Sequence, residues 1–337
     1  MNYQSLLLTA NCVVDTMKEQ NLSTKRAAIT LLFLSPITAE LLSGSAPPVE
    51  FFNPFGLMVL VALYGCGAII LRELKIRWHK GYGALLVLGA AYGIIEEGLM
   101  VKSFFDPNWM DLGILGVYGR WFGVNWVWSV ELTIYHSVVS IVIPIVLVEL
   151  MYPEIKSRSW VKTKTLKILT IIFISDVIFG YMFLTIYFPP ISLYLATLMI
   201  VLVLFYVAYR FPESLEFNGQ KIPPSPRKLW LIGLLWFIVY WLIIFNMLPY
   251  IGIPPAITII LGILAFILPY RYFRRFNWKS DIHKLALVSG VLSFLIFLAP
   301  LQEMDKTRPD NPVGMTLVGI AYTIFLLYMK RRIKSAK

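Results

Sequence analysis

Ten mostly apolar runs follow one another along the chain, at about 27–45, 55–72, 82–103, 125–150, 167–187, 190–209, 228–248, 254–270, 283–300 and 314–330. A helix needs roughly 20 apolar residues to cross the hydrocarbon core of a bilayer. Pro and Gly mark the gaps between runs, with Pro-Pro pairs at Pro47-Pro48, Pro189-Pro190, Pro223-Pro224 and Pro254-Pro255. The expected fold is therefore all-α: a polytopic membrane bundle of about ten transmembrane helices. Composition agrees. Hydrophobic residues make up 58% of the 337 residues and charged ones 15%, against about 25% charged in an ordinary soluble domain. A water-soluble fold of this make-up would expose large apolar patches.

The formal net charge is +11. In a soluble protein that excess would point to nucleic acid. Here it follows from orientation. With the N-terminus inside, 26 of the 30 Lys and Arg residues fall on the cytoplasmic side, leaving only Lys102, Arg120, Lys306 and Arg308 outside. One span too many or too few would flip every later loop and destroy that asymmetry. The reading is N-in/C-in in the cell membrane, with the lipid bilayer as partner and no nucleic acid. Residues 1–26 form a cytoplasmic or interfacial segment, 27–330 a single transmembrane domain, and 331–337 a basic cytoplasmic tail.

Several features exclude other classes. Cys12 and Cys66 belong at different depths and predict no disulfide, and the chain has no Cys-x-x-Cys zinc signature. No basic region precedes Leu6-Leu7-Leu8, and the apolar stretch ends at Asn11-Cys12, so neither a signal peptide nor a lipoprotein site is expected. The longest outer loop, 104–124, is rich in aromatics and glycine, which suits a structured cap or an aromatic belt at the headgroups.

Ionisable groups inside spans are costly, so they are the functional candidates. Glu73 and Glu149 lie at inner ends near Arg72, Lys75 and Lys156, where interfacial charge pairing accounts for them. His79 and His283 sit on basic cytoplasmic loops and are expected to be solvated. Glu40, Glu96, Glu97, Glu131, His136 and Asp176 remain. At about 1.5 Å rise per residue, Glu40 and Glu97 share a level roughly 8–9 Å below the outer surface, with His136 about one turn deeper.

Helical phase orders the candidates. Ser129, Thr133, His136 and Ser140 form one polar stripe on the fourth span, with Glu131 nearly opposite. Gly89, Gly93 and Glu97 share a face of the third span, where the glycines permit close helix approach. Glu96 points about 100° away on ideal geometry. Pro36 interrupts the hydrogen-bond ladder of the first span beside Glu40. The expected site is an outward-facing pocket of Glu40, Glu97 and His136, with Glu96 or Glu131 in reserve and Ser140 and Asp176 as further lining. Two carboxylates and an imidazole can hold a divalent metal, through Glu40, Glu97 and His136. They can also act as a general base with its partner, or bind a proton or cation in transport. The bland alternative is that they hydrogen-bond across helices and lock the bundle.

Glu96-Glu97 followed 39 residues later by His136 resembles the CPBP family of CAAX-protease and bacteriocin-processing intramembrane peptidases. The resemblance implies Glu97 or Glu96 as general base on a water, with His136 assisting. The chain departs from that pattern at Val101, where the family carries arginine, with Lys102 one place late, and at Leu132, where it carries phenylalanine. It also lacks a later histidine inside a span. Two functional classes stay open. Ten spans with short loops fit a proton- or cation-coupled carrier of a small solute or lipid. Acids gathered in the first four spans fit an intramembrane hydrolase acting on a lipid or peptide. A scaffold without small-molecule chemistry is the third reading.

Overall fold

A computed structural model describes residues 22–212, 219–278 and 280–335. The expected N-terminal interfacial segment lies almost wholly outside the described residues, as does Cys12. Ten long helices follow the ten apolar runs. They are α1 (22–41), α2 (Pro54–Arg77), α3 (Tyr82–Met100), α4 (Trp126–Met151) and α5 (Thr163–Leu184). The remaining five are α6 (Ile191–Arg210), α7 (Pro226–Met247), α8 (Pro255–Phe273), α9 (Asp281–Met304) and α10 (Met315–Ser335). Eight of them, α2 to α9, are long and apolar enough to cross a membrane by themselves. The terminal two carry charge: Lys25, Arg26 and Glu40 on α1, and Lys330, Arg331, Arg332 and Lys334 on α10. The stretch read as a C-terminal tail is the last turn of α10 as far as Ser335.

Side chains set several helix starts. Asn53 precedes Pro54 and accepts from the amides of Phe55 (3.0 Å) and Gly56 (3.3 Å), fixing the start of α2. Asn125 does the same for α4 through Trp128 N–H at 3.0 Å. The start of α10 is capped from outside its own sequence. The Glu303 carboxylate at the end of α9 accepts from Gly314 N–H (3.1 Å) and Thr316 N–H (2.7 Å).

The helices are not uniformly α. Wider π turns occupy Ile37–Leu41 in α1, Val61–Gly65 in α2, Ile95–Met100 in α3 and His136–Val142 in α4. In them Leu42 N–H bonds to Ile37 O (2.9 Å) and Val101 N–H to Glu96 O (2.9 Å). Such turns cluster at functional sites because they re-aim side chains within a helix.

Two apolar cores share α4. One unites α1, α2, α3 and the Ile141/Ile145/Val148 face of α4. The other unites α7, α9 and α10 with the Val139/Ile143 face. α3 packs closely on α4: a Cβ at Gly89 would lie 2.8 Å from Ser137 Cα, and one at Gly93 would lie 2.9 Å from His136 Cβ. Ser35 Oγ donates to Ser140 O at 3.0 Å, tying α1 to α4.

Where α2 and α4 end and α3 begins, the first core carries a charge network. Arg72 Nη1 meets Glu73 Oε1 at 2.9 Å, Lys75 Nζ meets Glu149 Oε1 at 3.0 Å, and Tyr82 OH donates to Glu149 Oε2 at 2.6 Å. The pairing is the one expected from sequence, but it is buried rather than interfacial: Arg72 and Glu73 are fully enclosed. The Arg72 guanidinium also lies 3.7 Å from the centroid of a Trp160 ring.

Between α3 and α4, the 101–125 segment folds into a cap. A short 3-10 helix, Gly113–Gly116, leads to a two-residue hairpin pairing Arg120–Trp121 with Val124–Asn125. Phe104, Phe105, Leu112 and Leu115 are buried beneath it, while Trp121 and Phe122 face outward. The buried Lys102 ammonium donates to Tyr181 O at 2.6 Å at the end of α5.

Candidate functional site

Four helices deliver the site, each through its π turn: Glu40 from α1, Tyr64 from α2, Glu96 and Glu97 from α3, and His136 from α4. His136 stands between the two adjacent glutamates. Its Nε2 lies 3.0 Å from Glu97 Oε1, and its Nδ1 lies 3.2 Å from Glu96 Oε2 and 3.1 Å from Ser140 Oγ. Ideal helical phase separates Glu96 from Glu97 by about 100°. Yet both reach the same imidazole, because the wider turn at Ile95–Met100 lets neighbouring residues converge. Glycine supplies the nearness: Gly93 sits against His136 Cβ, so α4 approaches α3 without an intervening side chain.

An outer ring of hydroxyls holds these groups. Tyr64 OH donates to Glu96 Oε1 and also reaches Glu40 Oε1. Ser103 Oγ donates to Glu97 Oε2 and itself accepts from Trp128 Nε1 at 3.0 Å. Glu96, Glu97, His136, Ser103 and Ser140 are all buried, whereas Glu40 is only partly so. Glu96 Oε2 has no hydrogen bond of good geometry despite its nearness to His136 Nδ1, and neither has the Tyr92 hydroxyl. The ion pairs recorded for the cluster are those to His136, so three carboxyls face one imidazole. One donor atom each from Glu96, Glu97 and His136 lies within 4.8 Å of the other two, close enough for a single metal ion.

The structure thus brings Glu96, Glu97, His136 and Ser140 into direct contact and links Glu40 through Tyr64. The metal set expected from sequence was Glu40, Glu97 and His136; here Glu96 stands in the place of Glu40. Glu131 is not in this cluster. It faces the second core, where its backbone carbonyl accepts from Tyr240 OH at 2.6 Å and its Oε2 has no partner. Asp176 on α5 is also buried with an unpartnered Oδ2, and no recorded hydrogen bond or ion pair joins it to the cluster. Tyr64, Ser103 and Trp128 were not singled out from sequence. A tyrosine in mid-span was a legible hint of a polar partner. Ser103 lies beyond the end of α3, where no periodicity points to it.

Comparison with known proteins places the chain without giving it an activity. An uncharacterized protein from Archaeoglobus fulgidus is 28% identical over 122 residues, a segment covering 36% of each chain. No solved structure matches. The resemblance to the CPBP peptidases is not upheld. The family that matches is a different one, and the match runs over residues 29–299 rather than over the short Glu96–His136 segment on which the resemblance stood. The departures at Val101 and Leu132 agree with that correction. By this match across most of its length, the chain belongs to the uncharacterized membrane protein family.

Proposed function

We propose that this multi-pass membrane protein is an intramembrane hydrolase whose reacting groups are Glu97, Glu96 and His136. The observation that carries the reading is the arrangement of His136 between two carboxylates, each fixed by a hydroxyl: Tyr64 on Glu96 and Ser103 on Glu97. Such a group is preorganised for proton transfer, and catalysis draws on donors and acceptors that need not reorganise during reaction. In the step envisaged, Glu97 takes a proton from water as the water oxygen bonds to the carbonyl carbon of an amide or ester. The bond from that carbon to the leaving nitrogen or oxygen then breaks. The proton passes from Glu97 or His136 to the leaving group, so the charges at the site are restored.

A carrier is favoured less. Carriers built from repeats place matching polar groups at the interface of two moving halves. Among the described residues, α6 to α8 contribute no Asp or Glu, and the cluster lies within one tightly packed set, α1 to α4. The test is a comparison of membranes from cells expressing wild type or Glu97→Gln, with new protein N-termini and released lipid fragments read by mass spectrometry. Wild type should generate products that the variant lacks. Identical product sets with a folded variant would sink the hydrolase reading and return weight to a carrier or scaffold.

The cytoplasmic location of both termini is part of the same proposal. It is supported by the 26-to-4 distribution of Lys and Arg. In intact cells a cysteine placed at Asn108 should react with an impermeant maleimide and one at Ser280 should not. The reverse pattern would invert the topology.

A further inference from the structure

We infer that Glu96, Glu97 and His136 form a binding site for one divalent transition-metal ion. The inference rests on which atoms of the cluster are already engaged. Glu96 Oε1 is taken by Tyr64 OH, and Glu97 Oε2 by Ser103 Oγ. His136 Nδ1 lies 3.1 Å from Ser140 Oγ; with its proton on that oxygen, the Nε2 lone pair is left to coordinate. Each residue therefore retains one donor: Glu96 Oε2, Glu97 Oε1 and His136 Nε2. Glu96 Oε2 is buried without a hydrogen bond and lies 3.2 Å from His136 Nδ1, while Glu97 Oε1 lies 3.0 Å from Nε2. Atoms bound about 2.0–2.2 Å from a shared ion lie roughly 3–4 Å apart. The three residues offer donors within 4.8 Å of one another, a span that small side-chain adjustments would close.

Charge balance argues the same way. Glu96 and Glu97 are buried in a membrane helix, and among the described residues no Lys or Arg forms an ion pair with either. One imidazolium can offset only one of the two carboxylates that His136 pairs with, and buried charge left over is expensive; a divalent cation would neutralise both. One imidazole and two carboxylates suit zinc, iron, cobalt or manganese, with open positions for water or substrate. Tyr64, Ser103 and Ser140 then act as the outer partners that orient ligands. Glu40 reaches the site only through Tyr64 and is not a ligand. In the hydrolase reading the ion would lower the pKa of a bound water in place of Glu97 as base, with Glu96, Glu97 and His136 serving as its ligands; the inference rests on that reading, but the binding test does not depend on activity.

Full-length protein purified in detergent, stripped with EDTA and titrated with zinc chloride by calorimetry, should bind one zinc ion per chain. Elemental mass spectrometry after desalting should agree. Glu96→Gln, Glu97→Gln and His136→Ala should each lose stoichiometric zinc, while Glu131→Gln and Asp176→Asn retain it. Tyr64→Phe and Ser103→Ala should weaken binding by about 10–100-fold. Circular dichroism screens each variant for folding; the near-isosteric Glu96→Gln stands in should His136→Ala unfold. Folded wild type that takes up no zinc, or zinc bound equally by wild type and Glu96→Gln, overturns the inference. Product formation unchanged by EDTA would overturn the metal alone. Zinc binding without products would leave the site standing and remove the hydrolase.

Discussion

The two halves of the bundle solve the same packing problem and use the result differently. In the first, Gly89 and Gly93 of α3 press against the backbone of α4 at Ser137 and Thr133. In the second, Gly233 of α7 and Gly290 of α9 press against Leu287 O and Trp230 O of the opposite helix. Both contacts rely on small residues to bring helices close where lipid supplies no hydrophobic drive between them. Around the second contact the side chains are aromatic and aliphatic: Trp236 stacks on Tyr240 at 5.1 Å, and Trp230 Nε1 donates to Ser293 Oγ at 3.0 Å. Around the first they are carboxylates, hydroxyls and an imidazole, aimed by four π turns. Close approach is thus a general device here. Departure from α geometry is not the difference, since α7 carries its own π stretch at Ile238–Met247; the difference is which side chains line the contact.

Substitutions at these glycines give the largest expected effects and separate the halves. A Cβ at Gly290 would fall 2.0 Å from Trp230 O, a backbone atom that cannot step aside. Gly290→Ala should destabilise by about 3 kcal/mol or more, at the upper end of overpacking costs, while the zinc affinity of the protein that remains folded stays unchanged. Gly89→Ala meets Ser137 Cα at 2.8 Å, a milder overlap. It should cost about 1–3 kcal/mol and also weaken zinc binding by shifting α4. Thermal unfolding in detergent and calorimetric titration check both. Equal loss of zinc affinity in the two variants would show that the halves are one mechanical unit.

The smallest effect lies on the loop that joins α9 to α10. Arg308 meets Asp310 Oδ2 at 2.5 Å and donates to Gly44 O at 2.7 Å, pinning the loop after α1. Its hydrogen bond holds the Asp310 carboxyl below the usual carboxylate range. A depressed carboxyl pKa contributes stability above its unfolded value of about 3.9 and loses it as pH falls through the folded value. Arg308→Gln should therefore lower stability by about 0.5 kcal/mol or less at pH 7, with the difference vanishing in acid. A difference that persisted undiminished below about pH 3 would assign the loss to the Gly44 contact instead.

Much of the architecture was legible. The apolar runs and their Pro-rich gaps placed the ten long helices of the described residues, eight of them long and apolar enough to cross a membrane, because a bilayer forces each crossing segment to satisfy its own backbone. The Gly89/Gly93 face on α3 was also readable, since Tyr82–Ile94 is regular α; the stripe on α4 keeps α periodicity through Ser129 and Thr133 and enters a π turn at His136, where Ser140 still meets the imidazole. Phase alone holds Glu96 in reserve, about 100° from Glu97, for the complementary reason. A phase argument assumes about 3.6 residues per turn, and the turn at Ile95–Met100 does not have it. Glu73 and Glu149 were paired correctly but placed too near the surface, because burial depends on the 152–162 segment folding over them, with Trp160 N–H donating to Glu73 Oε1 at 2.7 Å.

By itself the sequence determined that this chain is a helical membrane bundle, and it confined the candidate chemistry to a few acids and one histidine, all in the first four spans except Asp176 in the fifth. Length and hydropathy are local properties, and the bilayer reads them segment by segment. Only the tertiary structure decided that Glu96 joins Glu97 on His136, that Tyr64 and Ser103 each occupy one carboxylate oxygen, and that Glu131 and Asp176 stand apart. Those facts depend on where four helices widen and how closely they cross. Both are set by contacts between residues as far apart as Ser35 and Ser140, which no local pattern encodes.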